Sequence, residues 1–285
     1  MRVQHAVLSI PKRHQTVSGD AHQVREDLAY PFVASVARAH GFLVLPQQIA
    51  RFARSISVEL VREGMFPTDV SEMTPLSFDG IECALREVFS ETGLGAAAAS
   101  VSVDPLGCLR IAHLGNCRLF QYDPARFEGV VQLTEDHTPA HPAEEVRLQA
   151  YTDPPNQFYL KRHGEYFPPI DLSHVRLHVR EELDATISRS LRCTRGFGHA
   201  LFRPAVSHEP EVQTFALRKD VPSLFALCTA GGSKLTRNVF RDFWQSGKQE
   251  IPSIDDIASL AHVKSAKKTK GPKHDTTIIF FRISP

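Results

Sequence analysis

The chain has 285 residues, 42% hydrophobic and 23% charged, with 33 lysines and arginines against 32 aspartates and glutamates. That length supports one large domain or two small ones, and the near-zero charge balance argues against nucleic acid as a main partner. No apolar run approaches ~18 residues, and the opening "MRVQHAVLSIPKRHQ" lacks an apolar core followed by a small-residue cleavage site, so neither a membrane span nor a signal peptide is expected.

In chain order, "PQQIARFARSISVELVR" (46–62) puts Ile49, Phe52, Ala53, Ile56 and Leu60 on one face behind Pro46, which predicts an amphipathic helix. "FDGIECALREVFSET" (78–92) repeats the pattern with Ile81, Ala84, Leu85 and Val88 and stops at Gly93 and Gly95. The texture then changes. "AAAASVSVDPLGCLRIAHLGNCRLFQYDP" (96–124) reads as three strands, with "DPLG" as a hairpin turn and "LGN" as a second tight turn. "GVVQLT" is a further short strand, and "HPAEEVRLQA" a helix opened by Pro142 and two glutamates. Residues 151–190 hold no clear period. They are too long for a plain connector and read as a flap or interaction loop. Strands return at "EVQTFAL" and "SLFALC", and a helix is expected over 235–246. Another helix in "SIDDIASLAHV" has Ser253 as its cap, and "DTTIIFFRI" is suited to a central strand. The basic run "HVKSAKKTKGPKH" (262–274) reads as a solvated loop. These elements predict an α/β sandwich, helix, sheet, sheet, helix, around one core.

Five scattered cysteines (83, 108, 117, 193, 228), without metal or redox spacing, imply reduced thiols and a cytoplasmic or nuclear setting. "GLGAAAAS" (93–100) has no lysine and no preceding strand, so it is not a phosphate loop. The turn in "LCTAGGSKL" (227–235) is less plain. A turn between a buried strand and a helix often carries reactive side chains, yet this one offers Ala230 and two glycines.

The motifs explain that turn. "QLTEDHTPAHPAEEVRLQA", "LRCTRGFGHALFRPAVSHEPEV", "IAHLGNCRLFQY", "LFALCTAGGSKLTRNV" and "KHDTTIIFF" follow one another as corresponding stretches do in metal-dependent Ser/Thr protein phosphatases of type 2C, and from about residue 95 onward the chain resembles that family. The resemblance implies a single domain over 1–285, with two antiparallel sheets flanked by helices and a variable flap at about 151–190. It also implies an acidic cluster at one end of the sheets holding two or more magnesium or manganese ions, which acidify the water that attacks the phosphoester.

Carried over one at a time, the family's acids are largely missing. The turn aspartate is Ala230, and an aspartate four residues on is Lys234. The pair before the last strand becomes His274 and Asp275. Further family aspartates become Asn116 and His199, and the motif after the second strand falls on Ala37 and Arg38. The N-terminal glutamate is Gly19 while Asp20 survives, and the phosphate-binding arginine is Gln15. The expectation is therefore a degenerate member: a pseudophosphatase with no catalytic residues, no metal and no cofactor, serving as a protein-binding, scaffolding or regulatory module. Its partner would be a protein, with a kinase, a phosphatase or a phosphoprotein as the expected classes. The alternative is a divergent metal-dependent phosphatase whose site is rebuilt on Asp20, His199, His274 and Asp275. Arg38 and Lys234 would suit a phosphate held without cleavage. The aromatic residues of the flap, Tyr151, Phe158, Tyr159, Tyr166 and Phe167, are the candidate partner surface.

Overall fold

The computed structural model describes residues 2–10, 20–25, 32–40, 82, 95–152, 158–162, 175–179, 189–218, 220–247, 250–266 and 275–285. The helices expected over 46–62 and 78–92 lie outside these, apart from the helical Glu82.

Two antiparallel sheets face each other. A six-stranded sheet runs β12(Glu211–Ala216), β5(Cys108–Leu114), β4(Gly95–Val103), β3(Phe32–His40), β2(Asp20–Arg25), and the short β11(Phe197–Gly198) pairs with the start of β4. A five-stranded sheet runs β1(Arg2–Ile10), β14(Thr276–Ser284), β13(Ser223–Cys228), β6(Arg118–Tyr122), β7(Val130–Gln132). Alternate residues of both sheets make the core between them. Phe32, Ala34, Val36, Ala97, Ala99, Val101, Leu109 and Ile111 come from one sheet, and Leu119, Phe225, Leu227, Ile279, Phe281 and Ile283 from the other. The opposite face of the five-stranded sheet is also buried, because Phe120, Leu224, Ala226, Ile278 and Phe280 pack on two helices, α2(Ser233–Gln245) and α3(Ile254–Ala266). This is why β13 and β14 read as unbroken apolar runs. The expected α/β sandwich of two antiparallel sheets is the fold observed.

Helix α2 buries Leu235, Val239 and Phe240 while Lys234 and Arg237 face out. Its Trp244 packs edge-on against the exposed Phe127. Helix α3 is capped as expected, the Ser253 hydroxyl accepting the Asp256 N–H at 3.2 Å. The turn Asp104–Gly107 closes the β4–β5 hairpin, with Gly107 at φ 85° and Asp104 Oδ1 accepting the Cys108 N–H at 2.8 Å. Among the described residues no helix is long and apolar enough to cross a membrane.

Two expectations need correcting. The opening residues, read only for targeting signals, form β1, which pairs with β14 from Arg2↔Ser284 to Ile10↔Thr276. The stretch 151–190 is not a periodless loop. Helix α1(Pro142–Thr152) runs into it, and β8(Phe158–Arg162), β9(Val175–Val179) and β10(Arg189–Leu191) form a separate antiparallel sheet. Strands of three to five residues are too short for their alternation to stand out among the surrounding prolines. This small sheet and α1 share a third core of Leu148, Leu177, Leu191, Phe202, Ala205 and Val206.

Candidate functional site

Strand β13 ends in a fully buried run, and Thr229 continues it in extended backbone before Ala230–Gly232 make one 3-10 turn into α2. The turn lies hard against the start of β14. A Cβ on Gly231 would overlap the carbonyl oxygen of Asp275, and one on Gly232 would crowd the Ile278 side chain, so the close approach requires glycine at both positions. Thr229 fastens three strands. Its N–H donates to the Thr277 carbonyl at 3.0 Å, its hydroxyl oxygen accepts the Thr277 N–H at 3.2 Å, and that hydroxyl donates to Asp20 Oδ2 at 2.6 Å.

Across from this turn, Phe32, Ala34 and Val36 of β3 face the space between the sheets, and period-two alternation puts Arg38 on that face too. The ladder sets Arg38 directly opposite Asp20 on β2 and opposite Ala97 on β4. Ala37, fully buried, belongs to the other face, so Arg38 is the residue of this pair that reaches the site. Asp20 is itself buried. Burial pushes its carboxyl up to about 6; Arg38 and the Thr229 hydroxyl pull the other way, and nearby Asp275 adds to the rise. The charge of Arg38 also opposes the upward push of burial on the thiols of Cys117 and Cys193, the latter reaching about 12. Neither thiol is a nucleophile under such conditions.

The remaining expected positions fall around this centre. Asn116, in the β5–β6 turn, has a buried Oδ1 with no hydrogen-bond partner among the described residues. His199 is buried at φ 56°, its Nε2 4.0 Å from Cys193 Sγ and its ring over Gly95, where a Cβ would overlap it. Ala230 is half-buried, Lys234 exposed on the first turn of α2, and Asp275 half-buried beside Gly231. Gln15, Gly19 and His274 lie outside the described residues. Of the flap aromatics, Tyr151 packs on the third core. Phe158 and Tyr159 are on β8, opposite Val179 and His178, but their side chains are not among the described features; Tyr166 and Phe167 lie outside the described residues.

Three polar clusters surround the site. Arg118 donates its Nε to Asp136 Oδ1 at 2.6 Å and its Nη1 to Ser233 Oγ at 2.5 Å, tying β6 to the first turn of α2. The buried Glu144 of α1 accepts from Arg147 Nη2 at 2.9 Å and from Arg195 Nε at 2.7 Å. His113 and His137 stack with centroids 4.5 Å apart, and His137 Nε2 lies 3.1 Å from Glu211 Oε2. The signal was present in the motifs themselves: "IAHLGNCR", "LTEDH", "AEEVR", "TRGF", "EPEV" and "AGGSK" supply these side chains.

A pair of hard divalent ions needs several oxygen ligands. At this end the described residues offer the carboxylates of Asp20 and Asp275, alongside Ala230, the amide of Asn116 and the guanidinium of Arg38. That donor set does not fit two magnesium or manganese ions. A second grouping, His113, His137 and Glu211, brings three ligand atoms within 4.8 Å of one another. Its hydrogen bonds fix the tautomers. The Gly115 N–H donates to His137 Nδ1 at 3.1 Å, so the proton sits on Nε2, which donates to Glu211. His113 Nε2 is 3.0 Å from the Glu135 carbonyl, which only accepts, so that nitrogen is protonated too. The rings lie within 17° of parallel, so their in-plane lone pairs do not converge on one point. A metal there requires these bonds to break and the rings to turn.

The sequence profile described as Protein phosphatase 2C matches residues 48–232. No curated protein matches the chain in sequence. Among solved structures, it is similar to a C. elegans sex determining protein (TM-score 0.62, 18% identity, covering 100% of this chain and 66% of that one). It is also similar to a serine/threonine phosphatase of S. agalactiae (0.58, 15%, covering 98% of each chain) and to serine-threonine phosphatase 2C from Toxoplasma gondii (0.60, 14%, 99% and 95%). At these identities the likeness concerns the fold.

Proposed function

Because the chain belongs to the protein phosphatase 2C family, we propose that it is a pseudophosphatase: one domain that keeps the family's scaffold, has no phosphatase chemistry, and acts in the cytoplasm by binding another protein. The observation that carries this reading is the turn after β13, where Ala230 offers no ligand atom and Gly231 packs on the Asp275 carbonyl. Without bound metals there is no acidified water, and the buried thiols nearby do not substitute for it.

The test is an assay of the purified chain on a phosphoserine or phosphothreonine peptide with added Mn2+ or Mg2+. No turnover above blank is expected, and a rate abolished by a chelator would overturn the reading. The second reading, a divergent phosphatase with a rebuilt site, is favoured by one observation: Asp275 remains close enough to Asp20 to disfavour that buried carboxylate's charge. Metal analysis of the purified protein separates the two.

The partner in this reading is a protein of a signalling system, a kinase, a phosphatase or a phosphoprotein, that docks on the sheet β8–β10. The support is the density of aromatic residues in the sequence around it, with Phe158 and Tyr159 on β8 and Tyr166 and Phe167 in the stretch between β8 and β9, in a segment that the main sandwich does not need for its own pairing. Replacing 153–169 with a Gly/Ser linker is expected to leave a folded domain that no longer captures the partner. Unfolding on that replacement would assign the segment to the domain's own core instead.

A further inference from the structure

The family's metals do more than chemistry, since they also neutralise acidic side chains gathered at the open end of the sandwich. This chain still places two carboxylates there, Asp20 and Asp275, and Asp20 is buried. A buried carboxylate beside another negative charge is unstable unless a cation or hydrogen bonds compensate it. The structure assigns that compensation to Arg38: its guanidinium is a built-in cation that takes over the structural work of the family's metal ions and makes the fold independent of divalent ions. The inference rests on the pseudophosphatase reading, and deepens it by naming what fills the place of the metals.

Three observations carry it. The register of β2 and β3 pairs Asp20 with Arg38 directly, so both side chains leave the ladder on the same face, where Cβ atoms of opposed residues stand about 5 Å apart. That face is the one turned toward the opposite sheet, because Phe32, Ala34 and Val36 precede Arg38 on it and the neighbour across β4 is the core residue Ala97. An arginine near the end of a strand's inward row, beside an alanine, has its stem in apolar surroundings and room to turn its head toward the acid. The guanidinium is also felt by three buried groups on separate segments: Asp20 at the start of β2, Cys117 before β6 and Cys193 after β10. Arg38 is itself half-buried, which agrees with a head at the rim of the space between the sheets. Thr229 completes the arrangement by donating its hydroxyl to the same carboxylate at 2.6 Å.

The test uses the whole chain and thermal unfolding in EDTA and in Mn2+, for wild type, Arg38→Met, Asp20→Asn and the double variant. Wild type is expected to melt at the same temperature in both conditions. Arg38→Met should lower the midpoint by roughly 3 °C or more, and Mn2+ should restore part of that loss. In the double variant neither charge remains, so its loss should be smaller than the sum of the single losses and Mn2+ should have no effect. Arg38→Lys should fall between wild type and Arg38→Met. If Arg38→Met does not fold, the double variant decides: a folded one supports the inference, an unfolded one overturns it. Single losses that simply add, an Arg38→Met variant as stable as wild type, or a wild-type midpoint raised by Mn2+ would each overturn it. Phosphopeptide turnover with the Arg38–Asp20 coupling intact would remove the pseudophosphatase reading and leave the role of Arg38 standing. Additive losses in a chain with no turnover would do the reverse.

Discussion

Arg195 holds Glu144 end-on, its Nη2 2.6 Å and its Nε 2.7 Å from the same carboxylate oxygen. The arginine follows β10 and the glutamate stands in the first turn of α1, so one ion pair fixes the helix of the third core to the loop that leads into β11. Arg147, one turn along α1, grips the other oxygen and also donates to the carbonyls of Thr194 and Ala205. The carboxylate is almost wholly enclosed, while the two arginines keep about a fifth of their surface.

Glu144→Ala should cost roughly 3 kcal/mol. Removing one member of a buried ion pair typically costs about 3–5 kcal/mol, and the partial exposure of both arginines argues for the lower end. Urea unfolding followed by circular dichroism measures it, and a loss under about 1 kcal/mol would mean that the arginines find replacement partners easily.

Acid should destabilise the fold through this group and Glu211. Burial raises the Glu144 carboxyl, but the arginines outweigh it and hold it at about 2. For Glu211 the His137 hydrogen bond is the main cause of a value of about 2. Both folded values lie below the ordinary 4.5, so their stabilisation is complete above about pH 4.5. It is lost as pH falls from there toward about 2, because the unfolded chain takes up protons that the folded chain refuses. The urea midpoint should decline across that window, and Glu144→Gln should flatten the decline. An unchanged slope in the variant would refute the assignment.

Gly231→Ala should destabilise by roughly 1–3 kcal/mol, since the added carbon meets a backbone carbonyl and not a side chain that can swing away. Gly247→Ala gives a contrast. Nothing lies within 4 Å of its would-be Cβ, and its cost should come from its φ of 70° alone. Thermal midpoints of the two variants compare crowding with backbone strain.

Nitrogen-detected NMR should find both His113 and His137 carrying a proton on Nε2, the tautomer their hydrogen bonds require. For His113, burial and then the neighbouring His137 pull the pKa down to about 4, which favours the neutral ring. Adding Zn2+ should leave both ring signals in place. A shift to Nδ1–H on either ring with zinc present would show that the three side chains reorganise into a metal site.

Most of the sandwich was legible because its strands are either long and apolar or joined by turns of fixed chemistry. β13 and β14 read as buried on both faces, and the Asp104–Gly107 hairpin announced itself. The site was read from the sequence as a set of replaced ligands, and its packing was not legible there. Arg38 was read as a cation suited, with Lys234, to holding a phosphate, when register makes it the neighbour of Asp20, and no sequence pattern encodes which residue stands across a ladder from which. Thr229 went unread for the same reason, since a threonine at the end of a strand is ordinary until three strands converge on it. The sheet β8–β10 was hidden because strands of three to five residues leave too few alternations to register.

The pairing of β1 with β14 has a consequence for synthesis on the ribosome. Among the described residues β1 is the edge strand of its sheet, and its ladder partner is β14, whose residues lie more than 265 positions downstream. At about 5–20 residues per second, that interval is tens of seconds. Throughout it "RVQHAVLSI" has emerged with its backbone donors and acceptors unmatched, while the hairpins β2–β3, β4–β5 and β6–β7 can already close. The closing of this ladder is therefore timed by the arrival of β14, long after the local hairpins have formed.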